Sequence, residues 1–161
     1  MANPVQNQNL VNLVQKQNAT SLSLAPVRET METNFFGLIQ TTVAFLPLLR
    51  KPTHAVVLNV STALGSNTLQ ARPSASLHAV GYNTSKAAAN SYTIALAQEL
   101  KGEGIKVNAV TPGFTATKIN HYHGAAKPVR AGAESLLPWA LLEKDGPTCM
   151  LNLLALRVAY I

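Results

Sequence analysis

Ala55-Val56-Val57-Leu58-Asn59-Val60 is a short, continuous apolar run rich in β-branched residues. It reads as a buried parallel strand, because strands covered on both faces lose the apolar–polar alternation. The small, polar stretch from Ser61 to Gly81, with Pro73 inside it, reads as a loop. Tyr82 to Leu100 is Ala-rich and ends in Lys101, Gly102 and Gly104, the signature of a helix and its C-terminal stop. Ile105-Lys106-Val107-Asn108-Ala109-Val110 alternates like a second strand and runs into Thr111-Pro112-Gly113. A loop over 114–130 follows, with His121, Tyr122 and His123 together. Val129 to Leu142 predicts a helix interrupted at Pro138, Asp145-Gly146-Pro147 a turn, and Met150 to Ile161 a strand or short helix. Upstream, Pro26 opens a helix. Its apolar positions Phe35, Phe36, Leu38, Ile39, Val43, Phe45, Leu48 and Leu49 are spread widely around the axis, with Pro47 near the end and Pro52 beyond it. Helix, strand, helix, strand, helix and a last apolar segment predict an α/β domain with a parallel sheet and right-handed crossovers.

Length and composition bound the rest. A chain of 161 residues fits one domain, and 47% apolar residues suffice for a core. Charged residues are only 12%, about half the share usual in soluble domains. Such sparse charge predicts surface covered by a partner, or a missing part of the domain. The single cysteine, Cys149, excludes an internal disulfide framework and a cysteine-rich zinc site. One aspartate, Asp145, and six scattered glutamates argue against a carboxylate-caged metal. The net charge of +6 comes from basic residues spread singly, only Arg50-Lys51 being adjacent, which argues against nucleic-acid binding. Residues 1–25 read as an atypical Asn/Gln-rich leader with a short apolar stripe at Leu10, Val11, Leu13 and Val14. The start has neither the basic nor the apolar region of a signal peptide, and no run is long enough to span a membrane. The expectation is a cytoplasmic protein.

Three pieces fall at strand ends, where open α/β sheets bind ligands. Ser61 and Thr62 follow the first strand. Tyr82 and Lys86, four apart at a helix start, share one face. Pro112 and Gly113 follow the second strand. A phenol is a poor proton donor or acceptor at neutral pH, and a nearby ammonium stabilises the phenolate and lowers its pKa. Tyr82 could then exchange a proton with an alcohol or carbonyl oxygen. The Ser61 and Thr62 hydroxyls could donate to that oxygen, or could simply end the strand. Asn34 is a polar residue in an apolar helix, suited to organising a water or a local π-bulge, or to a solvated stripe. His121 and His123 lack an evident third ligand, so no metal site is expected.

Together these segments resemble the short-chain dehydrogenase/reductase family over about Pro26 to Pro147, and carbonyl-reductase-like members most. Glu32-Thr33-Asn34-Phe35-Phe36-Gly37 resembles the segment with the family's active-site Asn. Asn59-Val60-Ser61-Thr62-Ala63-Leu64-Gly65 resembles the strand end with the catalytic Ser, the slot falling on Thr62. Tyr82 to Lys86 matches Tyr-x-x-x-Lys. Pro112-Gly113-Phe114-Thr115-Ala116-Thr117 resembles the loop that holds the nicotinamide.

The resemblance implies a catalytic set of Asn34, Thr62, Tyr82 and Lys86. It implies cofactor contacts from Tyr82, Lys86, Pro112, Gly113, Phe114, Thr115 and Thr117. The cofactor is NADP or NAD, with NADP favoured, and the substrate a small carbonyl compound or alcohol shaped for by residues 66–81 and 118–130. Homo-oligomers are implied through helices 27–50 and 82–101. The first glycine is Gly37, so nothing upstream resembles the family's Gly-rich phosphate turn. The expectation is an N-terminally truncated member. It would be the C-terminal half of a doubly wound, Rossmann-type domain over 26–148, with an atypical apolar end at 149–161. The alternative is an inactive fragment or pseudoenzyme that acts as an oligomerisation partner.

Overall fold

The computed structural model describes residues 18–75 and 79–153. The apolar stripe at Leu10 to Val14 and the last eight residues of the Met150–Ile161 segment lie outside them. The first helix, α1, covers Leu24–Met31, so it begins inside the segment read as a leader. A π-helical turn over Glu32–Phe36, with Asn34 at its centre, joins α1 to α2 at Gly37–Leu49. Pro47 lies within α2, and the helix still runs to Leu49, three residues short of Pro52.

Strand β1 is Val56–Val60. The stretch read as a loop after it holds a 3-10 turn at Ala63–Gly65 and a single helical turn, α3, at Asn67–Gln70. Ser66 supplies the reason for the latter, its Oγ accepting from the Leu69 backbone N–H at 3.3 Å. The long helix α4, Val80–Leu100, starts two residues before Tyr82. Then come β2 at Lys106–Val110, α5 at Val129–Glu134, α6 at Leu137–Ala140 and a two-residue β3 at Leu151–Asn152. The break between α5 and α6 falls at Ser135 and Leu136, and Pro138 sits in the first turn of α6, where its missing N–H costs nothing.

The sheet is parallel, in the order β1-β2-β3. Val56 pairs with Lys106 and Val60 with Val110, so the two strands end together. The central strand β2 is buried from Val107 through Val110. Helix α4 covers one face with a stripe of mostly small residues: Gly81, Ser85, Ala89, Asn90, Thr93 and Ala97. Small side chains let the helix axis lie close to the strands, which explains its Ala-rich composition. The core cluster is Ala55, Leu96, Ala97, Leu100, Ile105 and Val107, with Tyr92 and Cys149 packed at its margin. Several buried polar groups are paired across elements, as close packing favours. Asn59 Nδ2 donates to Thr93 Oγ1 at 2.8 Å, and Asn108 Oδ1 accepts from the Met150 N–H at 2.9 Å.

Helix α2 is different. Thr42 is its only buried residue, while Val43, Phe45 and Leu48 are each more than half exposed. A bidentate ion pair from Arg50 to Glu103, at 2.7 and 2.9 Å, ties its end to the turn after α4. No helix among the described residues is long and apolar enough to cross a membrane.

Candidate active site

Because β1 and β2 are parallel and in register, the segments that leave them emerge on the same edge of the sheet. Ser61 stays on the ladder through its N–H, which donates to the Val110 carbonyl at 2.9 Å. Thr62 is extended and caps the 3-10 turn, its Oγ1 accepting from the Leu64 N–H at 3.3 Å. The first turns of α4 bring Tyr82 and Lys86 to this edge. Tyr82 is hydrogen-bonded to Thr62. Lys86 Nζ donates to the carbonyl of Val60, the last residue of β1, at 3.0 Å.

Electrostatically the site differs from the simple expectation. Burial pushes the Tyr82 phenol above its usual range, and the Thr62 hydroxyl offsets this only in part. Burial pulls the Lys86 ammonium below its usual range. Desolvation dominates both groups, and Lys86 directs one of its three ammonium N–H groups to the Val60 carbonyl.

Asn34 reaches the same helix from the π-turn. Its Nδ2 donates to Ser85 Oγ at 3.1 Å, and that hydroxyl donates to the Tyr82 carbonyl at 2.8 Å. Asn34 is thus coupled to the backbone of Tyr82 through a fully buried serine. Ser61, by contrast, is buried and donates to Asn90 Oδ1 at 2.6 Å, so its hydroxyl is committed inside the fold.

The Pro112–Thr117 loop turns at Gly113, whose φ of +75° lies in the left-handed region that favours glycine. Thr111 Oγ1 accepts from the Gly113 N–H, and Thr115 Oγ1 donates to the Gly113 carbonyl, at 3.0 and 3.1 Å. Asn120 fastens the next stretch, accepting from the Thr117 N–H at 2.9 Å and donating to the Thr115 carbonyl at 2.7 Å. Phe114 is exposed, with its ring centroid 5.4 Å from that of His123. His121 is exposed in a left-handed conformation, and no three metal-binding side chains converge among the described residues. A cavity of about 350 Å³ opens between α3 and the Val80, Asn83, Thr84 and Ala87 face of α4, in the stretch expected to shape a substrate pocket.

Sequence reasoning missed Ser85, Asn90 and Gly132. A Cβ at Gly132 would lie 2.6 Å from Thr115 Cγ2, so this glycine makes the space in which Thr115 sits. The signals were faint: a polar residue one turn after Lys86, and a glycine inside a helix.

An open parallel sheet with polar groups gathered at its carboxyl edge defines a doubly wound α/β protein. A family model described as short chain dehydrogenase matches residues 8–128, and the chain belongs to that family. It is 32% identical over 124 residues to human dehydrogenase/reductase SDR family member 9, an alignment covering 77% of this chain and 34% of the relative. Among solved structures it resembles salutaridine reductase from Papaver somniferum, with a TM-score of 0.70 and 26% identity over 90% of this chain and 62% of that one. The fold also matches NADPH-bound carbonyl reductase from chicken fatty liver, with a TM-score of 0.70 and 22% identity over 85% of this chain and 58% of that one. The chain thus spans about a third of the length of that curated relative.

Proposed function

We propose that this chain carries the substrate and nicotinamide end of an NAD(P)-dependent oxidoreductase that interconverts a carbonyl and a secondary alcohol. The observation that carries this reading is the Thr62–Tyr82 hydrogen bond at the strand edge, with Lys86 bound to the carbonyl at the end of β1. The donor set suits the nicotinamide-ribose part of the cofactor. The Tyr82 hydroxyl and Lys86 ammonium would bind ribose hydroxyls, and the Pro112–Thr117 loop, through Pro112, Gly113, Phe114, Thr115 and Thr117, would hold the nicotinamide. The left-handed Gly113 supports this, because it brings backbone close to whatever lies at the edge. A glycine cluster of the kind that cradles a pyrophosphate is not among the residues before Gly37. NADP is preferred over NAD, on the strength of the NADPH bound to the carbonyl reductase of the same fold.

The cofactor, when bound, supplies or accepts the hydride. In the reducing direction Tyr82 gives its hydroxyl proton to the carbonyl oxygen, and in the oxidising direction it takes that proton back. Thr62 donates to the same oxygen and disperses the charge that develops there. Lys86 sets a positive charge beside the edge, and its burial strengthens the effect. Asn34, coupled to Tyr82 through Ser85, is assigned to a relay water. Helices 27–50 and 82–101 are assigned to a homo-oligomer interface, supported by the exposed apolar side chains of α2.

The test is titration of the purified chain with NADPH, followed by fluorescence and thermal shift, then NADPH consumption with small ketones and aldehydes. Saturable binding is expected, with turnover that falls about 100-fold or more in Tyr82→Phe. No binding at millimolar NADPH would overturn the oxidoreductase reading for this chain and favour a non-catalytic pairing partner.

A further inference from the structure

Ser61 and Gly65 bracket the short segment that carries Thr62, and a single side chain holds both. Ser61 is 5% exposed, and its hydroxyl donates to Asn90 Oδ1 at 2.6 Å. Asn90, also 5% exposed, donates through Nδ2 to the Gly65 carbonyl at 3.2 Å. Gly65 lies directly on α4: a Cβ there would stand 2.9 Å from Lys86 Cβ and 3.0 Å from Asn90 Nδ2. Asn90 is four residues beyond Lys86, on the same side of the helix. The loop bearing Thr62 and the helix bearing Tyr82 and Lys86 therefore meet through one amide.

We propose that Asn90 is a positioning residue, clamping the Ser61–Gly65 segment onto α4 so that the Thr62 hydroxyl is held against Tyr82. An amide suits this place because it must accept from one partner and donate to another. A carboxylate would have no donor for the Gly65 carbonyl, and an apolar side chain would leave two buried groups unpaired. Ser61 and Asn90 are buried and paired with each other, and Asn90 also with Gly65, so the network fixes geometry as well as adding stability. A hydroxyl that drifts by an ångström loses most of its effect on a neighbouring proton.

The proposal rests on Thr62 and Tyr82 being the proton-handling pair, but its test needs neither cofactor nor turnover. Tyrosine labelled with ¹³C at Cζ reports each phenol separately by NMR, with Tyr82→Phe assigning the resonance. Tyr92, whose hydroxyl bonds to Thr42 on α2, is the control inside the same molecule. In Asn90→Ala the Tyr82 titration should move up by about half to one pH unit, and in Ser61→Ala, which keeps the Gly65 contact, by about half as much. Tyr92 should not move in either variant. Should Asn90→Ala fail to fold, Ser61→Ala, which removes one hydroxyl and no bulk, decides the matter. A Tyr82 titration that stays at the parent's value in a folded variant would overturn the clamp. A chain that turns nothing over can still pass, which separates this proposal from the catalytic one.

Discussion

Tyr82 and Lys86 stand side by side, yet burial moves their proton affinities in opposite directions. For Tyr82 the folded value lies above the unfolded one near 10, so its contribution to stability is complete below about pH 10 and is lost as pH rises through the folded value. For Lys86 the folded value lies below the unfolded one, so its contribution is present above the unfolded value and is lost as pH falls through the folded one. Denaturant unfolding between pH 8 and 11 separates the two. Relative to the parent, Tyr82→Phe should show a shallower decline above about pH 10, the remainder belonging to Tyr92, which burial also raises, and Lys86→Met should show a weaker rise. Superimposable pH curves for parent and Tyr82→Phe would show that the phenol is not desolvated. These residues were legible in the sequence because four-residue spacing at a helix start forces a shared face. The direction of the Tyr82 shift was not, since burial belongs to the assembled site. Nor was the commitment of Ser61, whose partner Asn90 lies a helix away.

At the scale of elements, β1, α4 and β2 announce themselves through apolar runs and glycine stops. The structure moves their ends by one or two residues. What stayed hidden was set by contacts rather than by propensity. The π-turn at Glu32–Phe36 carries Asn34 to Ser85, and the Ser66 cap makes a helical turn out of residues read as a loop. Helix α5 shows how one element positions another. Gly132 is buried against Thr115, and Ser135 Oγ donates to the Gly132 carbonyl at 2.7 Å, fastening the turn. Gly132→Ala forces a methyl into the Thr115 side chain and should destabilise the chain by about 1–3 kcal/mol in chemical unfolding. Adding Thr115→Ala removes the obstructing atoms and should recover most of that loss. A single variant as stable as the parent would mean that α5 can slide away from the loop.

For the whole molecule, the sparse charge noted in the sequence gains a location. Helix α2 presents Val43, Phe45 and Leu48 to solvent, and Val60 is half exposed on the outer strand of the three-stranded sheet. Light scattering should find the chain associated at micromolar concentration, and Val43→Glu with Phe45→Glu should lower that mass while leaving the circular dichroism intact. A parent that stays monomeric would count against the assignment of α2 to an interface. The parallel pairing of the described strands has a consequence in time as well as in space. Val56 meets Lys106 only when the chain between them, α4 included, turns back on itself, and Ala109 meets Leu151 only across the loop and two short helices. No hairpin can seed such a ladder, so its hydrogen bonds form late and its strand edges stay open to wrong partners during synthesis. Helix α4, local in its own bonds and in contact with both longer strands, is the piece around which the sheet must wait to assemble.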